Sequence, residues 1–223
     1  MGAEFFGLLT TPFRLQPSNW IGSCSVIKIG RIADNRIKAG FKVPCYPAPG
    51  NHDVGSPPTP KTLQLYRETI GKDYFSFTHK GYTFVVVNTQ LWKDAVENES
   101  DKHDRWFNAT LKAAAEKGSP IFVVGHIPIY VKALDEKDAY FNLAAEMRAG
   151  LLERLHTHGV VALLAGHTHT TVIREHQGIQ MVNGETTSKN FDKRPFGFRL
   201  WHVGPSRPFR HEFVPLEAVS GEQ

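Results

Sequence analysis

Apolar and polar residues change rhythm several times along the chain, and the changes divide it into elements. Ile121–Val124 and Val160–Ala165 are uninterrupted apolar runs, IFVV and VVALLA. Runs of that length predict strands covered on both faces. Residues 74–78 and 82–88 are rich in aromatic and β-branched side chains and flank His-Lys-Gly, which predicts a hairpin. Elsewhere the period lengthens. Leu63, Tyr66 and Ile70 share one face of a helix over 59–70, closed by Gly71. Phe107, Leu111 and Ala114 do so over 104–117, with Gly118 as the stop, and Met147, Leu151 and Leu155 over 142–157. A short extended run at 43–47 contains prolines that disfavour helix. Four more extended segments follow at 171–174, 179–182, 198–203 and 210–214. Strands alternating with helices, then a run of strands, predict an α/β architecture.

Residues 1–40 read differently. Short apolar pieces alternate with Gly, Pro and Ser, no period persists, and only 25–29 suggests a strand. The chain is accordingly divided into an atypical segment, 1–40, and a domain, 41–223. No internal repeat is present.

Polar residues gather where three strands end. VPCYPAPG runs into Asn51-His52-Asp53, IFVVG into His126, and VVALLAG into His167-Thr168-His169. Ligands collect beyond the carboxyl ends of strands in α/β sheets. Glycine at each end lets the backbone turn and approach a bound group. Three such ends can aim an amide oxygen and imidazole nitrogens at one point, a donor set for a divalent cation such as Zn, Fe, Mn or Ni. His156 and His158 repeat the His-x-His spacing but fall at the end of a helix, where the dipole favours them. They read as structural, as do His79, His103, His176, His202 and His211. Trp92, Trp106 and Trp201 read as core or groove wall rather than substrate stackers, and Glu185 as a loop residue, set against a place in the pocket lining.

The motifs Gly50-Asn51-His52-Asp53, Gly125-His126 and Gly166-His167-Thr168-His169 resemble those of the calcineurin-like metallophosphoesterases, over about residues 41–215. The text around them, GNHDVGSPPTP, DYFSF, NTQ and HIPIY, looks most like a branch that includes Ser/Thr protein phosphatases. The resemblance implies a two-sheet sandwich flanked by helices, with one or two divalent metals (Mn, Fe, Zn or Mg) at the strand ends. Asn51, His126 and His167 would hold one metal and His169 the other. His52 would protonate the leaving oxygen, with Asp53 orienting its ring. The substrate would be a phosphate ester, including phosphoproteins.

Two earlier motifs of that family, DxH and GDxxD, do not occur. No histidine precedes His52, and the only acids before it are Glu4 and Asp34. The first strands are therefore expected to be missing or replaced. Without the bridging carboxylate two cations would repel across a short gap. An impaired hydrolase is expected, with two alternatives: a pseudo-phosphatase that binds metal or a phosphorylated ligand, or a truncated gene product that folds poorly. Asp34 as a substitute carboxylate is set against ordinary loop solvation.

Composition narrows the surroundings. Of 223 residues 41% are hydrophobic and 22% charged, as in a soluble globular protein. The net charge of +4 lies in residues 1–42, which carry six Lys or Arg against two acids. The remainder is neutral, so no nucleic-acid surface is evident. No apolar run spans a bilayer and no signal peptide is seen, so a cytoplasmic location is expected. Two cysteines make no disulfide framework, and the sequons at Asn98 and Asn108 are read as chance.

Overall fold

A computed structural model describes residues 4–8, 20–25, 44–186, 189–204 and 207–216. Eleven strands among them form two sheets. The larger contains β4 (Phe75–His79), β5 (Tyr82–Val86), β6 (Ile121–Val124), β7 (Val160–Ala165), β8 (Val172–His176) and β9 (Ile179–Asn183), in the order β4-β5-β6-β7-β9-β8. Its four central strands are parallel, and β4 and β8 close the edges antiparallel. The smaller sheet runs β11-β10-β1-β2-β3, built from β1 (Glu4–Leu8), β2 (Trp20–Ser25), β3 (Cys45–Ala48), β10 (Gly197–Val203) and β11 (Arg210–Pro215).

The unbroken apolar strands follow from this layering. Val85, Val87, Ile121 and Val123 point to one face of the larger sheet, into a core shared with Phe107, Leu111, Leu151 and Leu155. Those four come from helices α4 (Glu99–Glu116) and α5 (Ala145–Thr157). The alternate residues, Phe84, Val86, Phe122 and Val124, point the other way and meet Ala48, Trp201 and Val203 of the smaller sheet. Each strand residue is thus buried whichever way it faces. Trp92 and Trp106 pack against the first core, and Trp201 lies within the second.

Among the described residues three shorter helices complete the set: α1 (Asn51–Val54), α2 (Pro60–Thr69) and α3 (Gln90–Lys93). Leu63 and Tyr66 of α2 are buried as the helical period requires. The Thr59 hydroxyl caps that helix by accepting the Thr62 N–H, and Pro60 supplies a favourable first position. Among the described residues no helix is long and apolar enough to cross a membrane.

The segment set apart in the sequence supplies β1 and β2. Phe5–Leu8 pair in parallel with Trp20–Ser23, and Gly22–Ser25 with Cys45–Ala48. The first strands are therefore replaced in sequence rather than missing. Of the stretch 25–29 only Ser25 falls in a strand; 26–29 and Asp34 lie outside the described residues.

His103 illustrates a structural histidine. It is fully buried on α4, between Tyr74, Trp92 and Phe107, and Nε2 accepts the Asn88 N–H at 3.2 Å. Burial pushes its pKa down to about 4, against the smaller opposing pull of Asp104 and Asp73. The folded state binds this proton more weakly than the unfolded chain does. Its contribution is therefore complete above about pH 6.5 and is lost as pH falls through about 4, by about 3 kcal/mol in total. Urea melts between pH 7 and 4 should show that slope, and His103→Gln should flatten it. An identical slope in the variant would remove His103 from the account.

Candidate functional site

β6 and β7 are neighbours in the larger sheet and β3 is the edge strand of the smaller one; each is followed by a turn that carries polar side chains. After β3, Gly50 is the N-cap of α1, and its N–H donates to Asp53 Oδ2 at 2.9 Å. That single turn buries Asn51 and leaves His52 exposed at the rim. A Cβ on Gly50 would lie 3.1 Å from the His126 ring, so glycine allows the first turn to approach the second.

After β6, the N–H groups of His126 and Ile127 both donate to the Thr89 hydroxyl, at 3.2 and 2.9 Å. Thr89 stands just beyond β5, so one strand end fixes the next. A Cβ on Gly125 would stand 2.6 Å from the Thr89 methyl carbon, and no side chain fits there without displacing it. After β7, His167 and His169 take positive φ, +66° and +51°. This backbone region is uncommon for non-glycine residues and tends to be retained where function fixes the turn.

The three turns converge. His126 Nε2 lies 2.9 Å from Asn51 Oδ1 and 3.1 Å from His167 Nδ1. Asn51, His126 and His167 are each less than a tenth exposed. Burial pushes the His126 pKa well below its ordinary value, and the neighbouring His167, His169 and His52 charges add to this. His167 is pushed down to about 4, mainly by burial, although the Tyr140 carbonyl pulls the other way. Both rings are neutral at neutral pH and present lone pairs.

The donor set fits one divalent cation. Metal–ligand bonds of about 2.0–2.1 Å place adjacent ligands about 3 Å apart, the spacing of these atoms. A proton on His126 Nε2 serves one of its two neighbours at a time, whereas a cation serves all three atoms. Among the described residues no three His, Cys, Asp or Glu side chains form a metal-holding group by themselves, and His169 lies near enough for its charge to act on both imidazoles. His169 Nδ1 donates to the Lys189 carbonyl at 2.6 Å, and its ring stacks on Phe191 with centroids 5.1 Å apart. Its Nε2 is the nitrogen left for a ligand. His52 lies near enough for its charge to act on both buried imidazoles.

Several contributors were not evident in the sequence. Tyr140, in the loop before α5, touches both Asn51 and His167. Lys93 Nζ donates to the carbonyls of Ala139 and Asn142, either side of that tyrosine, at 2.6 Å each. The pair Tyr140-Phe141 within the polar run DEKDAYFN was the one available signal, since aromatic side chains seldom stand in such a loop without a partner. Glu185 is buried beyond β9 and ion-paired with Arg199, and it accepts from the Thr171 hydroxyl at 3.3 Å. From the loop that follows β9 it braces the start of β10.

The family model for calcineurin-like phosphoesterases matches residues 26–171. The mouse Serine/threonine-protein phosphatase CPPED1 is 32% identical over 181 residues, 80% of this chain and 58% of its own length. The zebrafish protein of that name is 35% identical over 174 residues, 77% of this chain and 56% of its own. The chain thus spans little more than half the length of these relatives. Among solved structures, a dimetal phosphatase from Danio rerio superposes with a TM-score of 0.57 at 15% identity, over 94% of this chain and 95% of that one. GAP50, the anchor in the inner membrane complex of Plasmodium, gives 0.64 at 13% identity, over 96% and 84%. Likeness at that identity shows the shared two-sheet fold. The match of the family model across more than half of the sequence, with the three strand-end motifs inside it, shows that the chain belongs to the calcineurin-like phosphoesterase family.

Proposed function

We propose that the chain is a metal-dependent hydrolase of phosphoric esters, with phosphoserine and phosphothreonine proteins as its substrate class. The observation that carries this reading is the meeting of Asn51 Oδ1, His126 Nε2 and His167 Nδ1 around one point. The substrate class rests on the named activity of the CPPED1 relatives. Asn51, His126 and His167 would hold a divalent cation (Mn, Fe, Zn or Mg), with His169 as the ligand of a second. Such an ion supplies Lewis-acid charge to the phosphoryl oxygens.

The protein's own groups do the rest. Burial keeps His126 and His167 neutral, so neither repels a cation at pH 7. His52, exposed at the opening, gives its proton to the departing ester oxygen. Asp53 would orient it from the same turn, where its carboxylate accepts the Gly50 N–H.

Hydrolysis of an aryl phosphate with Mn2+ or Zn2+ tests the proposal. His52→Ala is expected to lower kcat by about 100-fold, and equal rates would sink the proton-donor role. A second reading, binding of a phosphorylated ligand without turnover, is favoured by one observation: the sequence contains neither the DxH nor the GDxxD motif that would supply a bridging carboxylate. Tight phosphate binding with no hydrolysis by either protein would select it.

A further inference from the structure

Tyr140 belongs to an irregular loop, yet it is the residue that sets two of the three donor atoms. Its hydroxyl accepts Asn51 Nδ2–H at 2.7 Å. A primary amide has two ends of similar shape, and the partner of one end decides where the other points. With Nδ2 on the Tyr140 hydroxyl, Oδ1 is turned to His126 Nε2. The Tyr140 carbonyl accepts from His167 Nε2 at 3.0 Å. That bond places the imidazole proton on Nε2 and leaves the lone pair on Nδ1, facing His126. The same residue therefore fixes an amide rotamer through its side chain and a tautomer through its backbone.

The loop is built to hold that residue still. Glu136 accepts the N–H groups of Val131, Lys132 and Ala133 and one Asn142 Nδ2–H. Asn142 Oδ1 accepts the Ala139 N–H at 2.8 Å. With Lys93 on the Ala139 and Asn142 carbonyls, the chain is pinned on both sides of Tyr140. Tyr140 is 52% exposed, so core packing does not explain a tyrosine here. It leans on the His167 ring with centroids 4.7 Å apart.

We propose that Tyr140 is a positioning residue of the cation centre: its hydroxyl holds the Asn51 amide oxygen toward the centre, and its carbonyl holds His167 in the tautomer that presents Nδ1. The inference rests on reading Asn51, His126 and His167 as cation ligands. Tyr140→Phe deletes only the hydroxyl and keeps the ring and the carbonyl, so it isolates the Asn51 half.

Zn2+ titration of the full chain by calorimetry, with proton–nitrogen spectra of the Asn51 side-chain amide, provides the test. Tyr140→Phe should bind Zn2+ about 10-fold more weakly, shift the Asn51 amide resonances and leave the thermal midpoint unchanged. Phe196→Leu, at an exposed ring before β10, should change none of these. A Tyr140→Phe affinity equal to that of a Zn2+-binding wild type overturns the inference. If the wild type takes up no Zn2+, the cation reading falls, and unmoved Asn51 resonances in Tyr140→Phe would then overturn the positioning role as well.

Discussion

Arg148→Ala is expected to lower the free energy of unfolding by about 3–5 kcal/mol. Arg148 lies on α5 and is fully buried. Its Nε donates to the Leu143 carbonyl at 2.8 Å, and Nη1 to those of Leu134 and Glu136 at 3.0 and 2.6 Å. Nη2 reaches Asp138 Oδ1 at 3.1 Å. The carboxylate of that pair is 61% exposed, so the pairing itself is screened and contributes little. The loss comes from three carbonyls left without a donor, at about 1 kcal/mol or more each, and from the space vacated by the guanidinium. Urea denaturation of both proteins measures it. Arg148→Lys should recover less than half, because one ammonium cannot reproduce the planar fork. A loss below about 1 kcal/mol in Arg148→Ala would mean that water or a rearranged loop serves those carbonyls.

His126→Ala is expected to weaken Mn2+ or Co2+ binding by at least about 100-fold and to bring phosphate-ester hydrolysis to background. His126 is the middle member of the cluster, since both of the close donor–donor distances run through its Nε2. Without it, Asn51 and His167 are two ligands with nothing between them. Because the residue is buried, the variant must be shown to melt cooperatively before its binding is compared. A folded His126→Ala that binds Mn2+ as the wild type does would remove the cation centre from this part of the molecule.

Much of the fold can be read from the residues, and the reasons differ by element. Ile121–Val124 and Val160–Ala165 agree at both ends with their apolar runs, because burial on both faces leaves no polar position to blur the boundary. Helix α4 begins at Glu99, earlier than its apolar period, because its first turns, ESDKH, show no apolar stripe; His103 is the buried residue there. Helix α5 begins later than expected, since Asn142 serves the loop. The single turns α1 and α3 are too short to show any period. Three strand ends announced Asn51, His126 and His167 because glycine followed by a coordinating residue repeats in sequence. Tyr140 and Arg148 act through carbonyls and a hydroxyl across the loop, and no spacing rule marks such contacts.

The close fit of Gly125 against Thr89 ties two distant positions together in any lineage of this chain. An alanine at 125 meets the threonine methyl at 2.6 Å, and that methyl cannot rotate away while the hydroxyl beside it holds two backbone N–H groups. Serine at 89 keeps the hydroxyl and lacks the methyl. Drift to alanine at 125 is therefore open only to descendants that already carry serine at 89, so the order of substitution matters as much as the outcome.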